Sequence, residues 1–473
     1  MGNWLAPLLL VFAAPAAPKM AAVEPAPMPS GPALLEDPLL RALVGEALEK
    51  RPELAQVRAQ LRAEQERVPQ ANTLPDPTLA LGIQNDGFSS IQIGKMETSY
   101  VLIMASQTFP WAGKRGLRGE VVGLGKREAE ADLQRVLLSV AADVDRAYVD
   151  LLLVRDQIRL LAKLESLWLQ SEGITRIRYE SGEAAQSDLL RAQLQRNRLR
   201  QQRWALAAEE QRRIAVLNRL RGYPLTDPIA TTRTLADVPD PALPDPEQSV
   251  QAALAASPEL KKAMLAGEQA DRRVALASRE RWPDVTVNAG IMPRGNNFPV
   301  MWQAGVAINL PIWSAQKQSR VMAENRARGE SARDGAEAIR QLLGQRVHER
   351  LAVLGSLIEA NRLYRGGLLV QSEATVSSTL AQYRVGRVAF ASVLEALAGY
   401  LSDLNGFLDS VATTQKIVIA ELEISLDAPG SSASAMASTA MPGAGATATS
   451  SPSGRSAGSA QDGDGASASM SKM

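Results

Sequence analysis

From Leu133 to Leu161 the chain reads LQRVLLSVAADVDRAYVDLLLVRDQIRLL. Leu133, Leu137, Val140, Val144, Ala147, Leu151, Val154, Ile158 and Leu161 recur at alternating steps of four and three, the seam by which helices pack side by side in a coiled coil. Leu152, Leu160, Leu164 and Leu167 widen the apolar surface beyond one stripe, so this helix is expected to touch neighbours on two sides. Prolines bound the region. Inside a helix a proline costs about 3 kcal/mol through a lost hydrogen bond and a ring clash. The chain carries 27 of them, yet none lies between Trp111 and Tyr223 or between Ile312 and Ala428. Two long helical regions follow, the first predicted to start near Gly113 and to run to Glu180, on the order of 100 Å at 1.5 Å per residue.

Each region is divided once by a similar element. Tyr179-Glu180-Ser181-Gly182 precedes Asp188-Leu189-Leu190-Arg191-Ala192, and Tyr383-Arg384-Val385-Gly386 precedes Ser392-Val393-Leu394-Glu395-Ala396. Glycine supplies the left-handed conformation that ends a helix, and Ser187 or a neighbour is expected to cap the next one. Each region is therefore read as a helix, a tight turn and a returning antiparallel helix. Further pairs extend the repeat: Arg51-Pro52-Glu53-Leu54 with Ser257-Pro258-Glu259-Leu260, Leu74-Pro75-Asp76 with Trp282-Pro283-Asp284, and Thr108-Phe109-Pro110-Trp111 with Asn309-Leu310-Pro311-Ile312. One unit of helix, two strands and a long helical hairpin is present twice, over 37–233 and 247–427, joined by a Pro-rich linker at 234–246.

The strands are read from alternation. Val285, Val287, Ala289 and Ile291 face one way and Thr286, Asn288 and Gly290 the other; Val300, Trp302, Ala304, Val306, Ile308 and Leu310 oppose Met301, Gln303, Gly305, Ala307 and Asn309. The first repeat repeats this more weakly in Leu79, Leu81 and Ile83, then Tyr100, Leu102 and Met104. Asn85-Asp86-Gly87 and Arg294-Gly295-Asn296-Asn297 supply turns. Pro75, Pro110, Pro283 and Pro311 mark strand–helix junctions.

Composition removes several function classes. Lys+Arg is 52 against Asp+Glu 51, so no net field draws nucleic acid. With no cysteine there is no disulfide, thiolate site or lipid-modified N-terminal Cys, and with one histidine, His348, read as a surface residue, there is no catalytic or metal-binding set. No cofactor is expected. Gly123-x-Gly125-Lys126 lacks the strand and the following Ser or Thr of a phosphate loop. Residues 1–22 read as a secretory signal, apolar through Leu8-Leu9-Leu10-Val11-Phe12 although without a basic start, and 23–36 as a linker. Residues 428–473 are a low-complexity tail, expected to be disordered and dispensable, in which Met436, Met441, Met470 and Met473 are too irregularly spaced for metal capture.

No helical run is apolar enough to span a bilayer, so any spanning must be done by strands. Four strands cannot close a barrel, since the smallest have about 8, and an open edge is not tolerated in lipid. Several copies must therefore combine. Pro52-Glu53-Leu54, Leu74-Pro75-Asp76-Pro77, Gln107-Thr108-Phe109-Pro110-Trp111-Ala112-Gly113-Lys114-Arg115 and the two Tyr-x-x-Gly turns, in this order and duplicated, resemble the TolC-like outer-membrane efflux family, the Phe-Pro-Trp segment being most similar to its heavy-metal branch.

The resemblance implies a mainly α fold with a small β part. Long antiparallel helical hairpins would form a periplasmic barrel, and four strands would enter a 12-stranded outer-membrane β-barrel in a homotrimer. It also implies a passive efflux duct in a Gram-negative outer membrane, not an enzyme, partnered by a periplasmic adaptor and an inner-membrane pump. Carried over by position, Tyr179, Gly182, Val385 and Gly386 would meet the adaptor. Asp188, Glu395 and Tyr383 would form the periplasmic gate, with Tyr383 bonding a facing carboxylate such as Asp188. The rival reading is a periplasmic coiled-coil scaffold without a channel, which leaves the duplicated strands unexplained.

Overall fold

The computed structural model describes residues 37–295 and 298–428. The expected signal at 1–22, the linker at 23–36, Asn296 and Asn297 of one expected turn, and the tail from Pro429 onward lie outside the described residues. In chain order the elements are α1 (Pro38–Lys50), α2 (Pro52–Asn72), β1 (Thr78–Gln84), β2 (Tyr100–Phe109), α3 (Lys114–Glu180), α4 (Gln186–Arg221), α5 (Pro246–Ala256), α6 (Pro258–Arg279), β3 (Val285–Met292) and β4 (Met301–Ile308). The second hairpin is α7 (Gln318–Leu363), continued through a π-helical turn at Tyr364–Leu368 into α8 (Leu369–Arg384), and α9 (Phe390–Leu422).

The segment ahead of the strands, expected as one helix, is two in each repeat. Proline causes the break: its ring drives the preceding residue into extended backbone, with ψ 126° at Arg51 and 117° at Ser257. Its own fixed φ then suits the first helical position. Asp37, Asp245 and Ser257 cap α1, α5 and α6 by accepting from Leu39 N, Gln248 N and Leu260 N.

α3 is a single helix whose seam is buried as its spacing demands. Val140, Val144, Ala147, Leu151, Val154 and Leu161 are buried, and Leu133 and Leu137 pack at the cluster edge. α1 adds Leu40 and Leu43, α4 adds Leu217 and Leu220, and α9 adds Phe407 and Val411, so α3 has apolar neighbours on more than one side. The coil between α4 and α5 crosses this region as a strap. Asp156 accepts from Leu235 N (2.6 Å), Arg155 donates to Thr231 Oγ1 (2.6 Å), and Asn361 and Arg365 donate to the two oxygens of Asp240 (2.9 and 2.6 Å). Arg365 stands in the π-helical turn, where the helix takes in extra backbone beside Gly366 and Gly367. Tyr364 of the same turn lies against Gly406, whose absent Cβ would sit 2.7 Å from the tyrosine oxygen.

The strands form one antiparallel sheet in the order β1-β2-β3-β4. Its register sets Leu79, Leu81 and Ile83 opposite Ala105, Ile103 and Val101; Ala105 and Ile103 face Ala289 and Ile291, which face Ala304 and Trp302. One face is thus apolar across all four strands, as expected for the second repeat. In the first repeat the expected partners are corrected: Tyr100, Leu102 and Met104 pair with Gln84, Gly82 and Ala80 on the opposite, smaller and more polar face. The reason is the period of two, by which a one-residue misreading of phase exchanges the faces. The apolar face is open, with Leu81 71% and Trp302 78% exposed.

Candidate gate at the hairpin tips

Both hairpins turn on a glycine in the left-handed region, Gly182 at φ 77° and Gly386 at φ 75°. The last carbonyls of each rod are satisfied by backbone that folds back: Glu183 N donates to Arg178 O (2.7 Å) and Arg387 N to Gln382 O (2.9 Å). The returning helices start at caps Ala185 and Ala389, neither of which uses a side chain. Ser187, expected as a cap, lies inside the first turn of α4, because the backbone enters the helix earlier.

A side chain from one repeat ties the two tips together. Arg178, near the end of α3, donates through Nη1 to Tyr383 O (2.6 Å). Its guanidinium lies 4.8 Å from the Tyr383 ring centroid and its Nη2 contacts Glu183 O (3.5 Å). A Cβ on Gly386 would stand 3.2 Å from Arg178 Nη2, so that glycine serves both its own φ and the arginine's passage. Tyr383 is only 2% exposed and its ring tilts against Phe390 at 5.6 Å. Its hydroxyl donates to Thr175 Oγ1 (3.1 Å), not to Asp188. Within the chain, therefore, Tyr383 is a core residue joined to α3.

The two acids differ. Asp188 is half-buried in the first turn of α4, where a carboxylate complements the helix dipole, and pairs with Arg191 at 3.6 Å. Glu395 is exposed, and among the described residues no hydrogen bond or ion pair engages it. Tyr179 (42%) and Val385 (68%) are exposed beside exposed Gly182 and Gly386, so the four expected contact residues share open surface at the two turns. Thr175 and Arg178 escaped the sequence reading. The answering position to Arg178 is Gln382, so the repeat itself gave no signal for that tie.

At the other end of the rods, Pro75, Pro110, Pro283 and Pro311 all lie in coil between a strand and a helix. Lys114, only 3% exposed, donates to Trp282 O and to Asp284 Oδ1, both at 2.7 Å, and Trp111 N donates to the same carboxylate oxygen at 2.9 Å. Trp111 and Trp282 stack at 5.3 Å. The Phe-Pro-Trp-x-Gly-Lys segment of one repeat is thereby locked to the Trp-Pro-Asp segment of the other.

Among the described residues no helix is long and apolar enough to cross a membrane, and no cluster of His, Cys, Asp and Glu could hold a metal ion. What the molecule offers is a sheet with a lipid-compatible face, paired rods and braced tips.

Known proteins place this arrangement. A family model described as outer membrane efflux protein matches residues 43–222. No sequence match is found among curated proteins. A structure of CusC, from work on conformational changes accompanying folding and transmembrane channel formation, superimposes with a TM-score of 0.70 over 81% of this chain and 92% of that one, at 17% identity. The open state of the Neisseria gonorrhoeae MtrE outer membrane channel gives 0.69 over 82% and 89%, also at 17%. The outer membrane protein VceC from Vibrio cholerae gives 0.65 over 81% and 96%, again at 17%. Residues 43–222 thus match the outer membrane efflux protein family, and the described residues share the fold of these solved outer-membrane channels.

Proposed function

We propose that three copies of this chain close into one passive duct, a 12-stranded barrel in the outer membrane continued by a helical tunnel in the periplasm. The observation that carries the reading is the sheet: four strands, two unpaired edges and one face apolar from β1 to β4. In lipid such edges must be paired, and the smallest closed barrels need about 8 strands. A scaffold would gain nothing from an exposed apolar sheet face.

The tips then meet a periplasmic adaptor, with Tyr179, Gly182, Val385 and Gly386 as its contact surface, and an inner-membrane pump selects and drives the cargo. Asp188 and Glu395 become rings of carboxylates, which favour cations electrostatically. That preference accords with metal cations as cargo and with the similarity of the Phe-Pro-Trp segment to the heavy-metal branch. Mass measurement of the purified protein in detergent tests the assembly. Three copies per particle are expected; a monomer that stays soluble without detergent would overturn the reading in favour of a scaffold.

A further inference from the structure

The duplication supplies a template for the contact that a single copy lacks. Within the repeats, β1 pairs with β2 so that Thr78 faces Ser106, and β3 with β4 so that Thr286 faces Ala307. The answering prolines make Thr78 the counterpart of Thr286 and Ser106 the counterpart of Ala307, so the two hairpins correspond residue for residue with no slip. Between the repeats β2 lies on β3, with Thr108 facing Thr286, Gln107 facing Val287, Ser106 facing Asn288, Ala105 facing Ala289 and Met104 facing Gly290.

The counterpart of that seam is β4 against β1, which sit at opposite edges of the sheet and cannot meet in one chain. We infer that β4 of one copy pairs antiparallel with β1 of a second copy in one register: Asn309 with Thr78, Ile308 with Leu79, Ala307 with Ala80, Val306 with Leu81, and Gly305 with Gly82. The inference rests on the ring proposed above and adds which residues form its seams.

Three features support this pairing, the first and third of them its register. Ile308 and Val306 fall on the same face as Leu79 and Leu81, so the apolar face continues across the boundary; a slip of one residue would break it. Both strands are exposed along nearly their whole length, whereas β2 and β3 are largely half-buried. The third feature is Asp76, the counterpart of Asp284. Asp284 accepts from Trp111 N across the internal seam, whereas Asp76 is exposed and engages no hydrogen bond among the described residues. The proposed register brings Asp76 to the Ile312 amide of the next copy, which in one chain turns back onto Leu310 O. A slip of two residues would move it away.

The chain has no cysteine, so engineered pairs can be read without background. Ala307→Cys is combined in the full chain with Thr78→Cys, Ala80→Cys or Gly82→Cys, and the membrane-embedded protein is oxidised and run on non-reducing gels. Opposite edges of a four-stranded sheet are about 14 Å apart, out of reach of a disulfide, so every crosslink joins two copies. The Ala80→Cys combination is expected to give covalent trimer at least about tenfold faster than the other two, whose diagonal spacing strains the bond. Val306→Cys with Leu81→Cys checks the other face, should the first variant fail to assemble. Faster crosslinking with position 78 or 82, or none in any pair while the native mass stays at three copies, overturns the register and leaves the duct intact. A monomeric native mass takes down the assembly itself.

Discussion

Arg178 holds the carbonyl of Tyr383 from a helix of the other repeat and lies over the same ring, so one cation fixes both the backbone and the face of the second tip. Loss of the Tyr383 hydroxyl removes only its bond to Thr175, which itself donates to Ser171 O, and costs about 1 kcal/mol. Arg178→Ala is therefore expected to raise open probability in planar-bilayer recordings more than Tyr383→Phe does, and Arg178→Lys to restore it poorly, lacking the planar fork that both donates and stacks. A larger effect from Tyr383→Phe would mean that the latch lies elsewhere. Asp145, on α3, is a different kind of residue: Oδ1 has no hydrogen-bond partner, and burial pushes the carboxyl up to about 7. Above a pH of about 4 the unfolded chain loses this proton while the folded chain keeps it, so the stability that protonation contributes is full below that pH and is lost as pH rises towards 7. Asp145→Asn should raise the unfolding temperature at pH 8 and change it little at pH 4. An equal change at both would show that this group does not titrate in that window.

At the scale of the elements, the strands carry the sharpest test of the sheet's two faces. Val306 points to the apolar face and Gln303 to the other. An arginine on a lipid face near mid-bilayer costs about 2–4 kcal/mol, so Val306→Arg is expected to cut the yield of heat-resistant oligomer on gels severalfold and Gln303→Arg to leave it unchanged. The reverse order would exchange the faces. Much of this scale was legible beforehand. α3 was expected from about Gly113 to Glu180 and runs Lys114–Glu180, because proline and glycine punctuate both ends chemically. Phase in β2 was misread because Tyr100, Leu102 and Met104 are as apolar as Val101, Ile103 and Ala105, and only pairing with β1 separates the two sets. The ties Arg178–Tyr383 and Lys114–Asp284 were illegible for another reason: each joins residues far apart in the chain, and no local spacing encodes them. The π-helical turn also left no periodic mark, since a single widened turn shifts phase only beyond itself.

For the whole molecule, the proposed threefold closure would make every tip residue a ring. Among the described residues exposed Glu395 has no ion-pair partner, whereas Asp188 is already paired with Arg191, so Glu395 dominates the field of the proposed ring. Like charges held close repel unless cations or water screen them. Glu395→Gln should thus lower cation preference in bilayer recordings, and Asp188→Asn should do so less. Unchanged selectivity in Glu395→Gln would place the ring elsewhere. The open sheet also bears on how the proposed duct would be made. Until its edges are covered, each new copy carries two bare strand edges beside a broad oily face, a template for mispairing and aggregation. If the proposed ring holds, a lone subunit is therefore the most aggregation-prone stage in the protein's life, and swift meeting of copies is what ends that exposure.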